Sequence, residues 1–448
     1  MRITFSLLCF WLCSMTSFTQ SLPTLKASVY HPALKGYYFL SAAYSGATFF
    51  LVLDHTGSVA YYKPLIQKKT SPYNFALQAN GWISYSNQRS YLFMDSTFRI
   101  VDSVQCKNLY QTDPHDMRWL PNGHFLLLGM DTVSMDLRKD SVGKKFEEVD
   151  TILGWRAAIQ ELDAKKNVVF DWRAKDHFGM TDADTFLFGI LLRMLDMEHV
   201  NAVESDQDGN ILLSCRNYSE ITKINRSDGS IMWRLGGKRN QFTFVNCPVP
   251  FYGQHDIRRI SNGNITLFDG GQHQKSHGAR ALEFELDEVK KIATLKWSYT
   301  YDTALVSHAR GNVQRLDHGY TLVNYGGVGT ASEVVFVVVD KGGRKLFELN
   351  SPDHLDSYRS FYYPKLPWKV NPPAITCFDS LGVKYLKTTQ DYSSYQWSDS
   401  SVTRTIAVTK PGNYFVFVPY GEGGFIRSEQ LLINDVNALC NSPKKRKP

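Results

Sequence analysis

Between Tyr37 and Asn350 the chain alternates apolar and polar residues in short runs, and each run ends at a turn rich in Gly, Asn or Asp. Alternation over about four to eight residues marks a half-buried strand, and no comparable cycle of 3.6-residue helical periods intervenes. The runs fall into six units that begin near Tyr37, Asn74, His115, His199, His255 and Gly311. Each unit opens with an alternating segment around a glycine turn and ends with a second hairpin. The closing strands read GSVAYYK from Gly57, TFRIVDSV from Thr97, NVVFDWR from Asn167, GSIMWRL from Gly229, IATLKWSY from Ile292 and RKLFELN from Arg344. LDHTG, NRSDG, LDEVKK and VDKGG are plain turn signals between such strands. Six four-stranded units in series predict an all-β protein, a six-bladed β-propeller. A pair of packed sandwiches is the alternative, and the regular self-similarity favours radial closure.

Two stretches fall outside this rhythm. Residues 131–158 are charged and predict an inserted hairpin or loop within the third unit. Residues 174–198 contain FLFGILLRMLDM, apolar enough for a short helix or a lid over one face. After Asn350 the pattern breaks, and residues 362–373, YYPKLPWKVNPP, read as a proline-rich linker. Residues 374–436 return to short strands and predict a small C-terminal immunoglobulin-like β-sandwich with Trp397 in its core.

Composition adds location and excludes some partners. At 448 residues the chain is long enough for two or three domains, or for one large β domain with an appendage, and 13% aromatics fit many short strands. The net charge of +7 is modest and its cations are scattered, so nucleic acid is not implied; the one basic run, Lys444 to Lys447, lies in a solvated tail spanning 437–448. Residues 1–19 read as a signal peptide, with basic Arg2, an apolar stretch through Leu12 and a polar, mostly small region before cleavage after Thr19. Cys9 and Cys13 lack the small residues that precede a lipid-anchored cysteine. No later stretch approaches the roughly 20 apolar residues of a membrane span. The expected protein is therefore exported, to a periplasm, the cell surface or the medium, with a propeller over 20–361. Its five remaining cysteines, Cys106, Cys215, Cys247, Cys377 and Cys440, allow two disulfides at most, and their spacing is not that of a zinc knuckle.

Three units open on a histidine: HDMRWLPNG at His115, HVNAVESDQDG at His199 and HDIRRISNG at His255. Aligned on their turn glycines, the units place Tyr38, Tyr73, His115, His255 and Gly311 at one position, with His199 displaced by a longer turn. The first strand of a propeller blade lines the channel, so these side chains are expected to ring one end of it. Asn201 and Arg216 follow close by, and Arg258, Arg280 and Arg310 join if their strands face inward. Three readings compete: buried histidines that tie strands together, a three-histidine zinc site, and an anion-reaction centre. Arg216 would repel a dication, so no metal is assigned. An arginine, an amide and three imidazoles can instead grip and polarise an oxyanion. Asp116 and Asp256 either orient imidazoles or serve as turn groups, Tyr38 and Tyr73 either stack on an aromatic ligand or pack the core, and His308 could reach the channel mouth. His177, His273 and His277 are weaker candidates.

The run HVNAVESDQDGNILLSCRN, then EITKINRSDGSIMWRLGGKRNQF, QHDIRRISNGNITLFDGG and ALEFELDE resembles the bacterial PAPS-independent arylsulfotransferase family. GNVQRLDHGYTL resembles that family's last repeat, where GxAQRLxNGNTL is usual. The resemblance covers about half the chain, centred on residues 115–330. It implies a six-bladed propeller that moves a sulfuryl group from a phenolic sulfate ester to a phenol with no nucleotide donor. It also implies His255 of the QHD motif as nucleophile, forming a sulfohistidine, beside His115 and His199, with Asn201 and Arg216 gripping the sulfuryl oxygens. No cofactor is implied, and the chain has no phosphate-cradling GxxxxGK[ST] loop. His115 and His199 remain equal candidates for deprotonating the phenol. Two alternatives stand: a non-catalytic propeller that binds an anionic or aromatic ligand such as a sulfated glycan, and a sulfatase-like hydrolase with water as acceptor.

Overall fold

The computed structural model describes residues 22–65, 73–136, 151–184, 190–191, 194–272 and 277–440. The predicted signal segment, His273 and the basic run from Lys444 lie outside these residues. The described chain is all-β, with only single turns of 3-10 helix among the strands.

Six sheets carry the architecture, antiparallel except where Met194–Asp196 and Thr243–Val245 join two of them in parallel. Sheet 2 runs through Tyr73–Leu77, Ile83–Ser86, Tyr91–Met94 and Ile100–Val104 in chain order. Sheets 3 to 6 repeat the pattern from inner strands Gln111–Trp119, Val200–Ser205, His255–Arg259 and Asn312–Arg315. The tight turns between inner and second strands are set by residues such as Gly123 and Gly263, at φ of 83° and 88°, where a side chain would be strained. Inner strands adjoin one another in chain order, and Asp356–Tyr363, the inner strand of sheet 1, adjoins those of sheets 6 and 2, so the sheets form a closed, propeller-like ring. Apolar residues from facing sheets fill the spaces between them. Leu126, Leu128 and Trp172 of sheet 3, for example, meet Val203, Ile211 and Leu213 of sheet 4. Each such side chain contributes roughly 1.5–3 kcal/mol by leaving water.

Sheet 1 departs from the expected order. Its inner strand is Asp356–Tyr363, from the far end of the chain, which pairs with Tyr37–Tyr44. Tyr37–Tyr44 is therefore a second strand, not a channel-lining one. The N-terminal strand Lys26–Val29 in turn adds to the outer edge of sheet 6. The ring is thus closed at both ends by strands remote in sequence. Asp356–Tyr363 also overlaps the start of the segment read as a linker.

The two irregular stretches differ in outcome. Phe125–Asp136 and Thr151–Leu162 pair along their whole length, so the inserted segment is an extended hairpin around residues outside the description. The expected helix is absent at Met194–Asp196, a strand parallel to Thr151–Leu162, with Leu195 buried against sheet 3. Residues 185–189 and 192–193 lie outside the described chain.

The C-terminal strands pack around Trp397, Leu386, Tyr414 and Val416. Gly424–Arg427 continues sheet 1 itself: Phe425 and Ile426 pair with Tyr62 and Tyr61 of its outer strand.

Candidate active site

The inner strands are locked to one another by one polar side chain apiece near the channel mouth. Asn74 of sheet 2 donates to the carbonyl of His115 in sheet 3. Asp116 accepts from Val203 N–H of sheet 4 at 3.1 Å. Asn201 of sheet 4 donates to Gln254 O at 2.7 Å and accepts from Asp256 N–H at 3.3 Å, clasping the start of sheet 5. Asp256 accepts from Val313 N–H of sheet 6 at 3.1 Å, and Asn312 exchanges two 2.9 Å bonds with Ser360 of sheet 1. Arg359 of sheet 1 completes the circuit with bonds to Asn74 Oδ1 (2.7 Å), Asp116 Oδ1 (2.9 Å) and Asn201 O (2.8 Å). Buried ionic groups persist where such partners satisfy them.

This lattice presents the histidines at one end of the ring. The rings of His115 and His199 lie 4.9 Å apart, edge to face, and the ring of Tyr73 stands 5.4 Å from His115. Each of the two imidazoles is anchored through Nδ1 to a carboxylate: His115 to Asp113 at 2.6 Å and His199 to Asp196 at 2.5 Å. Such a bond fixes the ring and leaves Nε2 as its other nitrogen for further chemistry. His255 is almost wholly buried, at 3% exposure. Arg310 N–H donates to its Nε2 at 3.0 Å, so the ring proton sits on Nδ1 and points to Gly253 O at 3.2 Å. Arg216 donates to Asn217 Oδ1 (2.9 Å), Gln272 Oε1 (3.0 Å) and His308 O (3.1 Å). His199, Asp256 and Arg310 all hold left-handed backbone, with φ of 44°, 60° and 73°. Each such position costs about 1–3 kcal/mol.

Environment divides the imidazoles. Burial pushes the His255 pKa down, and the charges of Arg216, His199 and His115 push it further, well below the usual histidine value. For His115 burial also acts downward, but the charge and hydrogen bond of Asp113, with the charge of Asp196, outweigh it and raise the pKa. Burial raises the Asp196 pKa, and the charge and bond of His199 more than offset that, leaving a carboxylate. The surroundings thus favour the neutral form of His255 and the protonated form of His115.

The structure brings His115, His199, His255, Arg216 and Tyr73 together and removes other expected members. Tyr38 lies on the second strand of sheet 1, fully buried against Phe336, Phe347 and Tyr362, away from the channel. Asn201 is fully buried, and its carboxamide clasps the His255 strand rather than facing a ligand. His308 contributes its backbone carbonyl to Arg216 while the residue itself is exposed. Asp116 and Asp256 serve the inter-sheet lattice and pair with Arg258 instead of orienting imidazoles. Arg310 pairs with Asp356, and Arg280 with Asp269. Sequence reading missed Asp113, Asp196 and Arg359, together with Tyr358, whose hydroxyl donates to His115 O at 3.0 Å. Among the described residues, no group of three or more His, Cys, Asp or Glu has the arrangement to hold a metal ion.

A family model described as Arylsulfotransferase (ASST) matches residues 24–363, well over half of the chain. No curated protein matches significantly. Among solved structures, a protein of unknown function from Bacteroides caccae is 12% identical, with a TM-score of 0.46 over 72% of this chain and 98% of that one. A virginiamycin B lyase from Staphylococcus aureus is 8% identical, with a TM-score of 0.39 over 82% of this chain and 96% of that one.

Proposed function

Because the chain belongs to the arylsulfotransferase family, we propose that it moves a sulfuryl group between phenols through a covalent histidine, with no nucleotide donor. The observation that carries this reading is the arrangement of the site: a buried His255 whose protonated form is disfavoured, near Arg216 and near a His115 whose protonated form Asp113 favours at 2.6 Å. In the first half-reaction Nε2 of His255 attacks the sulfur of an aryl sulfate. The N–S bond forms, the S–O(aryl) bond breaks, and the departing phenolate takes a proton from His115. Arg216 offsets charge on the sulfuryl oxygens. In the second half a phenol gives its proton to His115, its oxygen attacks sulfur, and the N–S bond breaks. One pocket serves donor and acceptor in turn, so the kinetics are ping-pong. Attack requires Arg310 N–H to leave the Nε2 lone pair that it holds at 3.0 Å.

The closed ring of sheets 1 to 6 is read here as a six-bladed propeller, the C-terminal strands as an immunoglobulin-like module, and the protein as exported. Small aryl sulfates and phenols are the proposed partners. A non-catalytic ligand-binding role is the second reading, favoured by one observation: both ring nitrogens of His255 are already engaged.

The deciding experiment is intact mass after brief exposure to 4-nitrophenyl sulfate without acceptor, beside His255→Asn. Gain of one sulfuryl group by the wild type alone, discharged by added phenol, is the expected result. No adduct and no nitrophenol release from folded protein would transfer support to the binding role. Discharge by water at an undiminished rate would indicate a hydrolase.

A further inference from the structure

A cleft of about 270 Å³ opens between Tyr218 and Lys238 of sheet 4 and the segment Val249 to Tyr252 that leads into sheet 5. Its walls include Tyr218, Val249, Pro250, Phe251 and Tyr252, with Lys238 among its polar groups. Two connections place it at the reacting end of the ring. The turn Arg216–Tyr218 follows the second strand of sheet 4, and Arg216 N–H donates to His199 O at 3.1 Å. The segment ending in Tyr252 leads into Gly253, whose carbonyl receives the Nδ1 proton of His255.

Arg216 stands at the junction of cleft and imidazoles. Its guanidinium bonds to Asn217 and Gln272, whose chain neighbours Tyr218 and Gly271 line the cleft. An ester with its sulfuryl group on Arg216 therefore has an aromatic-walled space next to its leaving group. Size narrows the occupant: an apolar cavity of roughly 150 Å³ accepts a benzene ring. The cleft has room for a substituted ring. Its walls are well suited to a ring, because aromatic faces and edges attract beyond simple burial. The wall is also held in place. Tyr252 donates its hydroxyl to Asp184 at 2.7 Å, and Lys238 donates to Ala183 O at 2.6 Å.

We propose that this cleft seats the single aromatic ring of the donor and then of the acceptor, and that Val249 and Tyr252 set the size of phenol accepted. This rests on the sulfuryl-transfer reading above, so the test separates the two. Val249→Trp fills the cleft, and Tyr252→Ala removes a wall in case the larger side chain prevents folding. Filling the cleft removes binding common to ground and transition states. Expected is a rise in KM for 4-nitrophenyl sulfate of about 10-fold or more in each variant, with kcat far less changed. Tyr252→Ala should also accept naphthyl sulfate relatively better than the wild type. An unchanged KM in folded variants overturns the assignment. Equilibrium binding of 4-nitrophenol itself, read by its absorbance shift, requires no turnover. If the wild type forms no adduct yet binds 4-nitrophenol, and Val249→Trp abolishes that binding, the cleft assignment stands and the transfer reading falls. If the wild type forms the adduct and Val249→Trp binds 4-nitrophenol equally well, the cleft assignment alone falls.

Discussion

Protonation at His255 and His115 sets how the reaction should respond to pH. His255 must be neutral to attack, and its pKa is held well below 6.5 by burial and neighbouring cations. Loss of activity on its protonation therefore falls on the acid side of 6.5. His115 must be protonated to serve the leaving phenolate; burial lowers its pKa, but Asp113 and Asp196 raise it above 6.5. Loss on its deprotonation falls on the alkaline side. A bell-shaped kcat/KM profile spanning the ordinary histidine pKa is the expected outcome. His115→Asn should cost about 100-fold or more in kcat for esters of poorly acidic phenols and erase the alkaline limb. Persistence of that limb would assign the acid to another group. Asp113→Asn should move the alkaline limb to lower pH, because the carboxylate that raises the His115 pKa is gone. The histidines were legible in sequence because each opens a strand unit, whereas their carboxylates were not. Asp113 precedes His115 by two residues and Asp196 precedes His199 by three, so alignment of the units gives the carboxylates no shared position. Asp116 and Asp256 do share one, and that regularity belongs to the inter-sheet lattice.

The strand Asp356–Tyr363 closes the ring and brings Arg359 to its axis. Hydrophobic alternation could not reveal it. DSYRSFYY buries the polar Ser357, Arg359 and Ser360 along with Tyr358 and Tyr362, because those polar groups bond to the other inner strands. An inner strand of this kind reads as surface. The same blindness misplaced Tyr38, since a second strand alternates just as an inner one does. Arg359 offsets Asp116, whose pKa burial would raise but Arg258 and Arg359 hold at about 2. Arg359→Met leaves Asp116 and Asp256 buried with Arg258 alone, and removing one partner of a buried ion pair costs about 3–5 kcal/mol. Thermal or denaturant unfolding should show that loss. A change below about 1 kcal/mol would mean that water or local shifts replace the guanidinium, and that the lattice is not held at its centre.

At the scale of the whole molecule, the C-terminal strands extend the first sheet of the ring. Phe425 and Ile426 add backbone bonds to Tyr62 and Tyr61, Arg427 pairs with Asp54, and Tyr62 Oη donates to Gln396 at 2.6 Å. The sequence showed a proline-rich break and a second group of strands, which predicts two tethered bodies. It carried no sign that a strand from one completes a sheet of the other, because edge pairing uses backbone groups that every residue has. An outer strand left bare would expose a pairing edge and the rings of Tyr61 and Tyr62. Calorimetry of the whole chain should therefore show one cooperative transition in which ring and C-terminal strands melt together. Phe425→Pro removes the backbone donor at the join, and Arg427→Glu sets two carboxylates against each other there. Either change should split the melting into two transitions and open the segment around Pro367 to protease. A wild type that already melts in two steps would show that the shared sheet is too weak to couple them. The C-terminal strands would then be a tethered appendage, and the ring's stability would depend on its own closing strands.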